Sequence, residues 1–324
     1  MLTLAAIAIV LATTTAWGST VQSTACTPGN AGSLSGSNTV QGFCIDDYEA
    51  GFGVRDYGPA LGGTPEQRSR PRAAEAIFRD GGGGLLSITL RNILPRKAFA
   101  QYPDKQLVPV DILTGIFFDV LGASVSLAPV SARLSVGSVI YANDVLNPDR
   151  HGSDVAGEWG YKTKASGFPH TSPPPDNSMP HHGISSSGVG AFGPSDRFCM
   201  LAGSTCLNLD GPPNGSLGGI EYGLLPVGYI DTAPHFYPRN GGLNHRELVY
   251  YSVDFTLKGW TRGDPFGQIG NIFFQYGTAL DEPYLWPPCT PGAQQSCGTP
   301  PTQAVPEPAT LGLLLLGLGM VLPR

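Results

Sequence analysis

Residues 248–257 read Leu248-Val249-Tyr250-Tyr251-Ser252-Val253-Asp254-Phe255-Thr256-Leu257. Val249, Tyr251, Val253, Phe255 and Leu257 occupy every second position. A period of two places alternate side chains on opposite faces of an extended chain, so the stretch reads as one half-buried β-strand. The same period recurs upstream, where Leu86, Ile88 and Leu90 alternate with Ser87 and Thr89. Further runs of strand length are Ile116–Val120, Ser124–Val130, Leu134–Tyr141 and Ile272–Tyr276, separated by Gly or Pro. The reading is an all-β domain, an antiparallel β-sandwich or jelly roll with long loops.

Composition agrees. The 324 residues include 44 glycines and 30 prolines, an excess that suits short strands joined by many turns and argues against a helical bundle. Hydrophobic residues make up 41 %, enough to build a core. Charged residues are only 14 %, against about 25 % in an average soluble domain. The net charge is -6 and no basic patch is visible, so a nucleic-acid partner is not expected.

A few segments depart from the strand pattern. Ala73–Arg79 reads as a short helix ended by the glycines Gly81–Gly84. Residues 143–183 are polar and Pro-rich and carry His151, His170, His181 and His182; residues 193–219 hold Cys199 and Cys206. Both read as long surface loops. Residues 19–45 form a loose start to a β-domain that runs to residue 285, and residues 286–304 read as a Pro-rich linker.

The termini carry the information on compartment. The first residues, MLTLAAIAIVLATTTA, hold an apolar run followed by small residues at Ala16 and Gly18, which is the pattern of a cleaved export signal over residues 1–18. The run is shorter than the roughly 20 residues that a bilayer requires. At the other end, Val305-Pro306-Glu307-Pro308 presents extended, accessible backbone, because two prolines exclude regular helix. Leu311–Leu322 behind it reads as a short hydrophobic helix, a transient anchor closed by Arg324. The six cysteines fit export to an oxidising compartment. Proximity in the chain favours Cys26–Cys44, Cys199–Cys206 and Cys289–Cys297, each closing a short loop. No C-x-x-C pair suggests zinc.

Residues 305–319, VPEPATLGLLLLGLG, resemble the PEP-CTERM sorting signal of Gram-negative bacteria that make extracellular polysaccharide. The resemblance implies two partners, the general export machinery and exosortase, a membrane protease-transferase that reads Pro-Glu-Pro and removes the tail. It implies passage through the inner membrane to the cell surface or the extracellular matrix. The body, roughly residues 86–285, is similar to a family of exosortase-dependent surface proteins through TGIFFDV (114–120), GEWGY (157–161), HGISSSGVGAFGP (182–194), IEYGLLPVGY (220–229) and FQYGTALDEP (274–283). That family carries no assigned activity to transfer.

Motif chemistry is sparse. There is no G-x-S-x-G elbow, P-loop, H-E-x-x-H or EF-hand loop. His181-His182 is a tempting metal pair, with His170 or His151 as a third ligand, but neighbours on a strand point apart. No cofactor or metal is expected; Asp46, Asp47 and Glu49, and likewise Asp281 and Glu282, are weak candidates to offer oxygen ligands to calcium. Asp119 and Asp254 sit inside strand patterns and need partners if buried. Trp159 and Tyr161 are the best candidates to stack on a sugar ring; Trp260 and Trp286 are others. The expected function is a structural or adhesive surface protein without enzymatic activity. A carbohydrate-binding module is the first alternative, and an extracellular hydrolase using paired carboxylates the second.

Overall fold

The computed structural model describes residues 43–48, 51–56, 60–95, 106–121, 125–142, 145–147, 152–163, 179–204, 206, 217, 219–230, 242–243, 246–263, 265 and 268–286. The segments expected to be an export signal, a sorting signal and a hydrophobic helix lie outside these residues, as does the expected linker apart from Trp286. Among the described residues no helix is long and apolar enough to cross a membrane.

The chain begins with strands β1 (Phe43–Tyr48) and β2 (Gly51–Asp56), a one-turn helix α1 (Pro65–Arg68), then β3 (Ala74–Gly82), β4 (Leu85–Asn92) and β5 (Leu113–Val120). It continues through β6 (Ala128–Leu134), β7 (Val139–Ala142), β8 (Val145–Asn147), β9 (Gly160–Thr163) and β10 (His182–Ser185). The last third holds α2 (Phe198–Leu201), β11 (Leu224–Leu225), α3 (Val227–Ile230), β12 (Leu248–Tyr250), β13 (Ser252–Lys258), β14 (Ile269–Tyr276) and β15 (Tyr284–Leu285). The fold is all-β, as the sequence implies.

Six strands form one sheet in the order β1-β2-β3-β4-β13-β6. The other sheet runs β15-β14-β5-β11-β12-β7-β8, with β10 and β9 added beside β5. Among the described residues every strand pairing is antiparallel except β11 with β12. One edge of β5 pairs with β14. Its other edge pairs first with β11, at Leu113, and then with β10, at Gly115–Phe118. The larger sheet therefore forks at β5.

Burial follows the sequence pattern. In β4, Leu86, Ile88 and Leu90 are fully buried, while Ser87, Thr89 and Arg91 face outward. They join Phe78, Phe118, Val253, Phe255, Leu257 and Phe274 in a core shared by both sheets. The larger sheet is covered on its far face too. Ile112, Tyr141, Leu225, Tyr229 and Leu248 form a second apolar cluster, and Phe117, Phe192, Leu217, Phe273 and Tyr284 a third. This is why Leu113–Phe118 is buried at every position rather than at alternate ones.

Several expectations about elements need correction. Residues 143–183 are not one long surface loop: they hold β8, β9 and the start of β10, and Val155, Trp159 and Tyr161 there are buried. The Ser124–Val130 run becomes strand only from Ala128, in β6. Ala73–Arg79 is not helical. Ala74–Gly82 is a strand that pairs with β2 and β4, and the apolar partners Leu86, Ile88 and Leu90 override local helix propensity. Gly82, Gly83 and Gly84, with φ of 71°, 59° and 83°, form the β3–β4 hairpin turn instead of ending a helix. Leu134–Tyr141 is not continuous: β6 ends at Leu134, and the Ser138 N–H donates to the Ser135 carbonyl in a turn before β7. Finally, residues 248–257 are two strands in different sheets. The chain leaves the nine-stranded sheet after Tyr250, turns at Tyr251 with φ 95°, and enters the six-stranded sheet at Ser252. Strands that pass between packed sheets need such a bend.

Candidate functional site

Trp159 and Tyr161 are core residues. Trp159 is fully buried, and its ring lies 4.9 Å from that of Phe255. Tyr161 is 4 % exposed and packs edge-on to Phe198 at 6.1 Å. The Gly160 between them permits this approach, because a Cβ there would stand 2.6 Å from Leu217 Cδ1 and 2.9 Å from Phe192 Cδ1. Neither ring offers a face to a sugar, which corrects the stacking role read from the sequence. Trp260 is also buried, with its Nε1–H donating to the Gly263 carbonyl at 2.6 Å. Trp286 packs partly buried against the third apolar cluster.

The structure does bring Tyr161 to a chemically distinctive neighbour. His182 opens β10, and its Nδ1 lies 2.8 Å from the Tyr161 hydroxyl. That hydroxyl also donates to the Leu127 carbonyl at 3.2 Å, so the imidazole Nδ1–H is the donor to Tyr161. The His182 ring stacks on Phe118, with centroids 5.3 Å apart. Burial pulls the His182 pKa down from 6.5 to about 4; Asp119 opposes this shift and His181 adds to it. Burial also pushes the Tyr161 hydroxyl well above its usual value.

His181 occupies the opposite face. Its Nδ1 lies 2.7 Å from Asp119 Oδ1, and its backbone N–H donates to the same oxygen at 2.5 Å. Asp119 Oδ2 accepts from Asn271 Nδ2 at 2.9 Å. A register shift in β14 between Gly270 and Phe273, with Asn271 at φ 49°, presents this amide. One imidazole therefore sits on the core face with Phe118 and the other outside with Asp119. They cannot share a metal ion, and among the described residues no group of three His, Cys, Asp or Glu side chains is arranged to hold one.

The remaining candidates resolve into structural roles or fall outside the described residues. Asp254 accepts from the Thr89 hydroxyl at 2.6 Å on the outer face of the six-stranded sheet. Glu282 Oε2 caps a turn, accepting from the Thr278 and Ala279 N–H groups. Asp46 and Asp47 are consecutive residues of β1, opposite Gly53 and Phe52 of β2; Glu49 lies outside the described residues. Cys199 and Cys206 form a disulfide as expected. Cys26, Cys289, Cys297, His151 and His170 lie outside the described residues, as do Val305, Pro306, Glu307 and Pro308. Of Cys44 only the backbone, in β1, is described.

No family model matches the chain, and no curated protein or solved structure matches it either.

A shallow cleft of about 390 Å³ is lined by Glu66, Gln67, Arg70, Val108–Val110 and Glu282. It holds two carboxylates, but they do not make a hydrolytic acid–base pair. Glu282 is committed to its turn, and hydrogen bonds from its own backbone and from Thr64 hold the exposed Glu66 carboxyl below its usual pKa. Glycoside hydrolysis needs one carboxyl kept protonated, and the Glu66 carboxyl is shifted the other way.

One polar constellation escaped sequence reading. Asp111 is buried and receives a forked contact from Arg70, Nε to Oδ1 at 2.8 Å and Nη2 to Oδ2 at 2.7 Å. Arg72 Nε donates to the Val110 carbonyl, and Asn92 Nδ2 bridges the carbonyls of Asp111 and Leu224. The cluster locks the chain entering β5 to β4 and β11. The partners lie from 19 to 132 positions apart, and no local signal links them.

Proposed function

We propose that the chain is exported, held briefly in the inner membrane by its apolar C-terminal helix, processed by exosortase beside Pro306-Glu307-Pro308, and delivered to the cell surface or an exopolysaccharide matrix. There the β-sandwich acts structurally or adhesively. The observation that carries this reading is the sequence VPEPATLGLLLLGLGMVLPR, in which an extended Pro-Glu-Pro precedes an apolar segment. The Cys199–Cys206 disulfide supports an oxidising compartment. Asp111, Asp119, Asp254 and Glu282 each hold a turn or neighbouring strands through hydrogen bonds, which supports a structural role for these carboxylates. Glu307→Ala tests the reading: wild type is expected to leave the membrane fraction and the variant to stay in it. Identical distribution of the two would contradict the proposal. For the adhesive part, processed protein that is monomeric and binds neither cells nor matrix polysaccharide would overturn it.

A further inference from the structure

Strands β9 and β10 form a two-stranded arm joined to the larger sheet along β5. At its inner end Ser185 pairs with Gly160, and the Ser185 hydroxyl and Ser186 N–H donate to the Thr114 carbonyl. Phe198 N–H also holds the Trp159 carbonyl there. At its outer end His182 pairs with Thr163 and with Phe118. At the outer end one imidazole, His182, 6 % exposed, contacts both β9 and β5, while the adjacent His181 binds Asp119 of β5 on the outer face.

We propose that this arm is an acid-opened flap: protonation of His182 releases its outer end from β5, uncovering Phe118 and Tyr161 while the six-stranded sheet stays folded. The neutral imidazole has one hydrogen bond, to Tyr161, and otherwise an aromatic surface. From β9 it faces Tyr161, with Phe198 of α2 behind it. From β5 it faces Phe118, while Asp119 lies across the strand, committed to His181 and Asn271. Lys162 of β9 is engaged by Asp196 and the Ala191 carbonyl. A charged imidazole thus has no carboxylate in contact, and a buried charge without a partner is expensive. Opening restores it to water. The inner end, held by backbone and hydroxyl bonds that do not titrate, stays closed and serves as the hinge.

The test is hydrogen exchange on the full chain at pH 7 and pH 5, corrected for intrinsic rates. A shift from 6.5 to about 4 predicts opening at residues 161–163 and 182–184 roughly 25-fold more frequent at pH 5, with β4 and β13 much better protected than the arm at both pH values because they open only on global unfolding. His182→Phe removes this response, and His181→Gln leaves it intact. If the Phe variant does not fold, His182→Gln, which cannot titrate, takes its place. No acceleration in the arm, protection of the arm equal to that of β4 and β13, or a response that survives replacement of His182 would overturn the proposal.

Discussion

The Arg91 guanidinium lies 4.5 Å above the ring of Tyr251, at the residue where the chain passes from one sheet to the other. Arg91 is held from the other side by Glu75 at 3.0 Å. Tyr251 has φ 95°, a conformation with a strain of order 1–3 kcal/mol for a non-glycine residue. Tyr251→Gly relieves that strain and loses the ring contact, so its stability should stay within about 1 kcal/mol of wild type. Tyr251→Val keeps the strain and loses the contact, and should be less stable than the Gly variant by about 1–3 kcal/mol. Urea denaturation of both variants decides it; a Val variant as stable as the Gly variant would show that the bend is not strained.

Stability should fall as pH drops from 6.5 towards 4. His182 is neutral in the fold down to about pH 4, chiefly through burial, whereas the unfolded chain takes up its proton near 6.5. The unfolded state therefore binds more protons across this window. The contribution is complete above pH 6.5 and shrinks by about 3 kcal/mol in total as pH reaches 4. Melting temperatures at pH 7.5, 6 and 5 should decline in wild type and decline less steeply in His182→Gln.

Reducing the Cys199–Cys206 disulfide should lower stability. The bridge closes a loop with a sequence separation of 7 residues. Loop-closure entropy sets its worth at about 2.5 kcal/mol. A melt with and without reductant measures this, and Cys206→Ser should reproduce the reduced value. No change on reduction would show that the loop is held by its other contacts, such as the Ser204 N–H to Cys199 carbonyl bond.

Asp111→Ala should be among the most damaging single changes. It leaves Arg70, 9 % exposed, and the nearly inaccessible Arg72 without their shared carboxylate. Breaking a buried pair on one side costs about 3–5 kcal/mol. Chemical denaturation should show that loss, and a loss under 1 kcal/mol would mean that water or neighbouring carbonyls compensate.

How far the sequence foretells the structure depends on the range of the signal. β4 and β13 were legible because one face of each meets the core and the other meets solvent, which writes a period of two into Leu86–Leu90 and Val253–Leu257. The break at Tyr251 was not legible, since the alternation runs through it and only the pairing partners change. β3 read as a helix because its local composition favours one, and its strand character comes from partners on either side. Trp159 and Tyr161 looked like surface aromatics beside a polar loop, yet α2 and the strands around them bury both. The pairing of Tyr161 with His182 across 21 residues, and of Asp119 with Asn271 across 152, rests on strand register. Three features marked the place in advance without linking them: the adjacent His181 and His182, Asp119 inside a strand pattern, and Tyr161.

The central claim is that Pro306-Glu307-Pro308 directs processing. Its most direct test is mass spectrometry of the mature C-terminus in host cells with and without exosortase. The account predicts a chain ending near residues 306–309 only when exosortase is present, outside the membrane fraction. An intact chain through Arg324 in both strains would contradict it.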